Sequence, residues 1–152
     1  MKTYDINMVE EQLKSSESVA FFTCCASMRP LHRTHKDIVV IVKPKHPLSV
    51  KDVALYKVKG SDKLVLHRVI GIKDDVTYIT RGDNTYHKEY VPKDQVVGIM
   101  TAVYRGGKYI DCKNSKGYKV YVWLNKVSYP VRWLWRTKIR ATLGKIKRKI
   151  MD

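Results

Sequence analysis

Residues 64–81 read LVLHRVIGIKDDVTYITR, two β-branched runs separated by a polar turn. Leu64–Ile72 and Val76–Arg81 have the length and composition of strands, and Lys73-Asp74-Asp75 supplies the turn between them. The same grammar extends outward on both sides. Towards the N-terminus it gives Val53–Val58, closed by Gly60-Ser61-Asp62, then Asp37–Val42 and Val19–Cys24, with Pro44 and Pro47 marking a loop. Towards the C-terminus it gives Gln95–Tyr104 and Lys108–Cys112. Arg105-Gly106-Gly107-Lys108 between them reads as a hairpin, because glycine tolerates the positive φ of a tight turn. Many short strands with local turns imply one mainly antiparallel β domain.

The flanks read differently. Residues 5–16 fit a short helix capped by Asp5, with Met8, Val9 and Leu13 on its apolar face. In the last third, Tyr118–Leu124 is aromatic and apolar. Pro130 is placed to begin a helix, where its missing N–H costs nothing. From there Val131, Trp135, Ile139, Leu143, Ile146 and Ile150 recur at steps of three or four, with Gly144 as a mild interruption. Arg132, Arg136, Lys138, Arg140, Lys145, Lys147, Arg148 and Lys149 occupy the other faces. The chain therefore divides into an N-terminal helical segment (1–17), a β domain (18–112) and a basic, amphipathic helical tail (113–152).

The chain has 152 residues, which suits a single domain, and 44% of them are hydrophobic, enough for a core. Thirty Lys and Arg oppose fourteen Asp and Glu, a formal charge of +16, so an anionic partner is expected. Cys24, Cys25 and Cys112 form no disulfide framework, which favours a reducing compartment. No Cys/His spacing suggests zinc, and no cofactor is called for. The longest purely apolar run is Ile38–Val42, far short of the roughly 18–20 residues that span a bilayer. These features point to the cytoplasm, with peripheral attachment at the inner membrane face through the tail. Trp133, Trp135, Arg132, Arg136 and Arg140 are the candidates for contact with anionic lipid. Nucleic acid ranks below lipid, because no recognisable nucleic-acid module accompanies the charge.

Four short pieces carry the chemistry. Ser27-Met28-Arg29-Pro30 follows an apolar strand, and Pro30 turns the chain so that the Ser27 hydroxyl is exposed. Asp37-Ile38-Val39-Val40 comes next, then His67-Arg68-Val69-Ile70-Gly71. Arg81-Gly82-Asp83-Asn84 is last, followed by Val96-Val97-Gly98. A hydroxyl is a weak nucleophile and needs an adjacent base. His67 shares a strand face with Val65 and Val69, an apolar setting that keeps imidazole neutral and able to take a proton. Asp83, in a polar turn, is suited to orient that imidazole.

The ordered set SMRP, DIVVIV, LHRVIG, RGDNTY and VVGIM resembles the signal peptidase I and LexA-type serine peptidase superfamily over roughly residues 18–112. It is most similar to the His-dependent branch, the archaeal and endoplasmic-reticulum type, and looks like a small bacterial member without a transmembrane anchor. The resemblance implies a mainly β, LexA/signal-peptidase-like fold and hydrolysis of a peptide or precursor protein through an acyl-enzyme. It assigns Ser27 as nucleophile and His67 as base, and places Asp83 beside the base. Cys25, Met28 and Asn84 are the supporting positions. Cys25 stands where the family often has a serine that helps hold the oxyanion, and a thiol is a weaker donor. The oxyanion then depends mainly on backbone N–H groups near Ser27. Glu89 is a loose substitute for a second acidic residue that often follows Gly-Asp-Asn. LexA-type self-cleavage lacks its Ala-Gly or Cys-Gly bond here. Two other functions remain open from the residues: a catalytically inactive peptide-binding protein on the same fold, and a basic nucleic-acid-binding module.

Overall fold

The computed structural model describes residues 6–139. The chain divides into two compact units after Lys119. The first contains helix α1 (Ile6–Ser15) and strands β1 (Ser18–Phe22), β2 (Ile38–Val42), β3 (Val53–Lys57), β4 (Leu64–Lys73), β5 (Thr77–Arg81), β6 (Glu89–Pro92), β7 (Val96–Arg105) and β8 (Lys108–Asp111). The second consists of most of helix α2 (Lys116–Leu134) and a π-helical turn, Trp135–Ile139. The fold is mainly β with an antiparallel sheet, a short N-terminal helix and a C-terminal helix.

The strands form one sheet in the order β1-β2-β7-β3-β4-β5-β6, and β8 pairs the end of β7. Every pairing is antiparallel. The long strand β7 organises it, lying beside β2 on one edge and beside β3 and then β8 on the other. Gly106 and Gly107 both have positive φ (56° and 78°), as a tight two-residue hairpin requires, and Arg105 pairs Lys108 across it. The β4–β5 hairpin turns through residues 74–76, one position later than the expected Lys73-Asp74-Asp75, because Lys73 still pairs Thr77; a bulge lies between Val69 and Gly71.

Alternation decides which side chains enter the core. In β2, Val39 and Ile41 are fully buried while their neighbours are half-exposed. Leu48, Ala54, Tyr56, Val69, Tyr78 and Val91 form a second apolar cluster, where the Tyr78 hydroxyl accepts the Leu48 N–H at 2.8 Å. Helix α1 buries Val9 and Leu13 as its spacing predicts, but Met8 is exposed, so its apolar face is narrower than expected.

Two elements depart from the sequence expectation. Strand β6 is not among the strands that the sequence pattern announces: it is four residues long, begins with Glu89 and ends with Pro92, a composition suited to a sheet edge. Pro130 lies inside α2 and does not begin it. The start is set further back, where the Ser115 hydroxyl caps the Tyr118 N–H at 3.2 Å and Asp111 accepts the Lys113 and Asn114 N–H groups. The expected strand limits otherwise agree with the observed ones to within two residues.

A prediction follows from the close approach of β7 to β2. A Cβ on Gly98 would overlap Ile41 Cγ2 and lie 3.2 Å from the Val42 carbonyl oxygen. Gly98→Ala is expected to lower stability by about 1–3 kcal/mol, the usual cost of overpacking a core. Chemical denaturation followed by far-UV circular dichroism measures it.

Candidate functional site

Ser27 lies in the long connection from β1 to β2, five residues beyond the end of β1. This connection is held from within. Thr23 and the buried His32 share a hydrogen bond at 2.9 Å, Thr23 Oγ1 to His32 Nδ1. Asp37, fully buried, accepts the Arg33 backbone N–H at 2.7 Å and its guanidinium at 2.8 Å. The hydrogen bonds from Arg33 hold the Asp37 carboxyl below its usual range, against the effect of burial. Met28 is buried and anchors the turn, while Cys25 is exposed and offers its carbonyl to the Thr34 hydroxyl at 3.3 Å.

The turn after β5 holds the same connection from outside. The Asn84 N–H donates to the Ser27 carbonyl at 2.7 Å, and the Asn84 side-chain amide reaches the Ala26 carbonyl at 3.4 Å. Arg105 donates to the Pro30 carbonyl at 2.6 Å. Asn84 thus supports the serine loop by pinning its backbone.

His67 is buried on β4, opposite Ala54 of β3. A Cβ built on Gly82 would lie 2.9 Å from Ser27 Cβ, 2.7 Å from Ser27 O and 3.0 Å from His67 Nε2. The serine side chain and the imidazole nitrogen therefore both pack closely against the backbone of residue 82, where a Cβ would collide with them and only glycine fits. Among the described residues Ser27 Oγ makes no hydrogen bond to His67. Such contacts are commonly loose before substrate binds.

The other imidazole nitrogen is occupied. His67 Nδ1 lies 3.1 Å from the Tyr56 hydroxyl and 3.3 Å from Glu89 Oε2. The Tyr56 hydroxyl donates its one proton to Glu89 Oε2, so its oxygen faces His67 as an acceptor. That arrangement puts the imidazole proton on Nδ1 and leaves a lone pair on Nε2, the nitrogen nearest Ser27. Burial lowers the His67 pKa from 6.5, opposed by the negative charges of Glu89 and Asp83. Burial and the hydrogen bond to Glu89 raise the Tyr56 pKa, so its hydroxyl stays protonated.

Asp83 occupies a different role from the one its motif suggests. Both of its carboxylate oxygens accept from Arg68, at 2.8 and 2.6 Å, and both side chains are buried. Arg68 also donates to the Lys51 carbonyl at 2.8 Å and the Tyr118 hydroxyl at 2.9 Å. Burial opposes the Arg68 charge, yet the hydrogen bonds and charge of Asp83 raise its pKa overall. Asp83 acts on His67 through its charge, while Tyr56 and Glu89 are the groups at Nδ1. The sequence missed Tyr56 and Arg68 as site residues. Both sit within strand runs that read as ordinary core, and only the pairing of β3 with β4 brings Tyr56 to the imidazole.

In the second unit, Trp133 and Trp135 are exposed, as is Arg136. Arg132 is half-buried, and its guanidinium donates to the Asn125 carbonyl at 3.2 Å, so it is less open to solvent than expected. Arg140 lies outside the described residues. Among the described residues no group of three or more His, Cys, Asp or Glu side chains is arranged to hold a metal ion.

Two predictions rest on buried charge. Asp83→Asn leaves the Arg68 guanidinium buried without its counter-charge and is expected to cost about 3–5 kcal/mol in unfolding free energy. The second concerns acid. Burial pushes His32 down to about 4 from 6.5, and His67 is also depressed. A histidine depressed in the folded state stabilises fully above pH 6.5, and that stability is lost as pH falls towards its folded value. Unfolding free energy is therefore expected to fall between pH 6.5 and about 4. Denaturation at a series of pH values should show a shallower fall for His32→Gln.

No protein-family model matches the chain, and no curated protein is significantly similar to it.

Proposed function

We propose that this chain is a serine peptidase of the signal-peptidase type, with a LexA/signal-peptidase-like sheet, cleaving a peptide or precursor protein. Ser27 is the nucleophile and His67 the general base. The observation that carries this reading is the convergence of Ser27 Cβ and His67 Nε2 on Gly82, too close to it for any larger residue, with Nε2 the nitrogen left unprotonated by the Tyr56–Glu89 contacts. The order of the Ser27, His67 and Gly82-Asp83-Asn84 motifs supports it independently.

In this mechanism Ser27 Oγ attacks the scissile carbonyl carbon and its proton passes to His67 Nε2. The imidazolium is stabilised by Glu89, directly and through Tyr56, and by the charge of Asp83. It then protonates the leaving amine, and the acyl-enzyme is hydrolysed by a water that the same base activates. Backbone N–H groups of the Ser27 turn are the candidates to hold the oxyanion. Asn84 keeps that turn in register with Gly82.

Peptide hydrolysis by variants tests the proposal. Ser27→Ala is expected to abolish turnover, and His67→Ala to lower it by about 10²–10⁴-fold. Activity that survives both changes overturns the assignment. The base must be neutral and its pKa lies below 6.5, so the acid limb of kcat/KM is expected to have its midpoint below 6.5. Glu89→Gln removes a charge that raises the His67 pKa. It should shift this limb to lower pH and reduce kcat by less than His67→Ala does.

A second reading is favoured by one observation, the lack of a hydrogen bond between Ser27 Oγ and His67 among the described residues. On that reading the fold binds peptides without cleaving them. A fluorophosphonate probe separates the two: labelling of wild type that Ser27→Ala prevents excludes the inactive protein.

A further inference from the structure

Helix α2 carries two apolar stripes. One includes Tyr118 and Val122, both buried. The other faces solvent. Val120, Trp123, Leu124, Val127, Val131 and Leu134 are all about half exposed or more, Trp123 at 61% and Val131 at 70%. At 3.6 residues per turn these six positions fall within an arc of about 100°. Exposed apolar residues scattered singly need no explanation, but a continuous helical stripe of them marks a missing neighbour. Trp135, in the π-helical turn, is exposed just beyond its end.

The charge around the stripe identifies the neighbour. No Asp or Glu occurs between Lys113 and Met151. Lys119 and Lys126 lie at the margin of the exposed stripe, and Arg136 is exposed beyond it. Two copies of this helix face to face would bring like charge against like charge, which disfavours a second copy as the occupant. A nucleic acid would engage the basic margin and leave the Val and Leu side chains in water. An anionic bilayer surface meets both features: headgroups take the lysines, and the acyl boundary takes the stripe, with tryptophans at the interface they favour. No helix among the described residues is long and apolar enough to cross a membrane.

We infer that α2 is a membrane-surface helix that lies in the headgroup region of an anionic bilayer, with the Val120–Leu134 stripe immersed and Lys119 and Lys126 on the lipid phosphates. This inference does not depend on the peptidase reading.

Co-sedimentation of the full chain with vesicles tests it. Binding is expected to mixed phosphatidylcholine/phosphatidylglycerol vesicles and not to pure phosphatidylcholine. It should weaken at least about tenfold when salt rises from about 0.1 to 0.5 M, because headgroup attraction is screened. Leu124→Glu and Val127→Glu replace exposed side chains and leave the sheet untouched. Each is expected to reduce vesicle binding at least about tenfold with an unchanged far-UV circular dichroism spectrum. Ser27→Ala should bind as wild type does, so failure of the peptidase reading is distinguishable from failure of this one. The proposal is overturned by equal binding to pure phosphatidylcholine or by no binding to either vesicle. It is also overturned if Val127→Glu leaves vesicle binding intact. Two further results sink it: displacement from vesicles by duplex DNA or RNA whose own binding ignores both Glu substitutions, or a dimer that Val127→Glu dissociates while wild type ignores vesicles.

Discussion

The buried ion pair between Arg68 and Asp83 is the constraint on which the candidate site depends. It ties β4, which carries His67, to the turn after β5, which carries Gly82 and Asn84. Asn84 in turn holds the backbone of Ser27. One pair of side chains thus fixes two connections whose ends are far apart in sequence. Burying both charges is costly, and such a pair rarely stabilises more than apolar residues of the same volume. Its geometry is the reason to keep it. The fork of Arg68 meets both Asp83 oxygens, and further donors reach the Lys51 carbonyl and the Tyr118 hydroxyl. A planar guanidinium held at this many points has little freedom, and the turn beside it inherits that rigidity.

Around His67 the electrostatics pull in two directions. Burial favours the neutral ring, and Glu89 with Asp83 favours the charged one. A group poised between these influences can change protonation state at modest cost, which suits a side chain that must gain and then lose a proton. The Tyr56 hydroxyl separates this balance from the imidazole orientation: it sets which nitrogen carries the proton while Glu89 supplies the charge.

Much of the sheet was legible because its signals are local. Strands such as Ile38–Val42 and Thr77–Arg81 carry β-branched residues in alternation, and the paired glycines at 106 and 107 specify their turn. What escaped notice depends on partners distant in sequence. Strand β6 has a weak pattern of its own and exists because β5 offers it an edge. Pro130 signals a helix start locally, but the cap at Ser115 precedes it and the helix runs through. At the site, Ser27, His67 and Asn84 could be singled out from motif order. Glu89 and Tyr56 meet at Nδ1 only through the pairing of β3 with β4 and of β5 with β6, which no spacing announces. The motif suggests that Asp83 orients the imidazole, but Arg68 on β4, fifteen residues away in sequence, takes both of its oxygens.

The distribution of aromatic residues has a spectroscopic consequence. All three tryptophans of the chain, Trp123, Trp133 and Trp135, belong to the C-terminal unit, whereas Tyr56, Tyr78 and Tyr104 belong to the sheet. Tryptophan emission therefore reports on the helical unit and is nearly silent about the β unit. Melting of the helical unit can be followed by tryptophan emission, and that of the first unit mainly by tyrosine absorbance, since eight of the ten tyrosines lie before Val120 and only Tyr121 and Tyr129 after it. Coincident transitions would mean that the units unfold as one cooperative body, and divergent ones that each has its own stability.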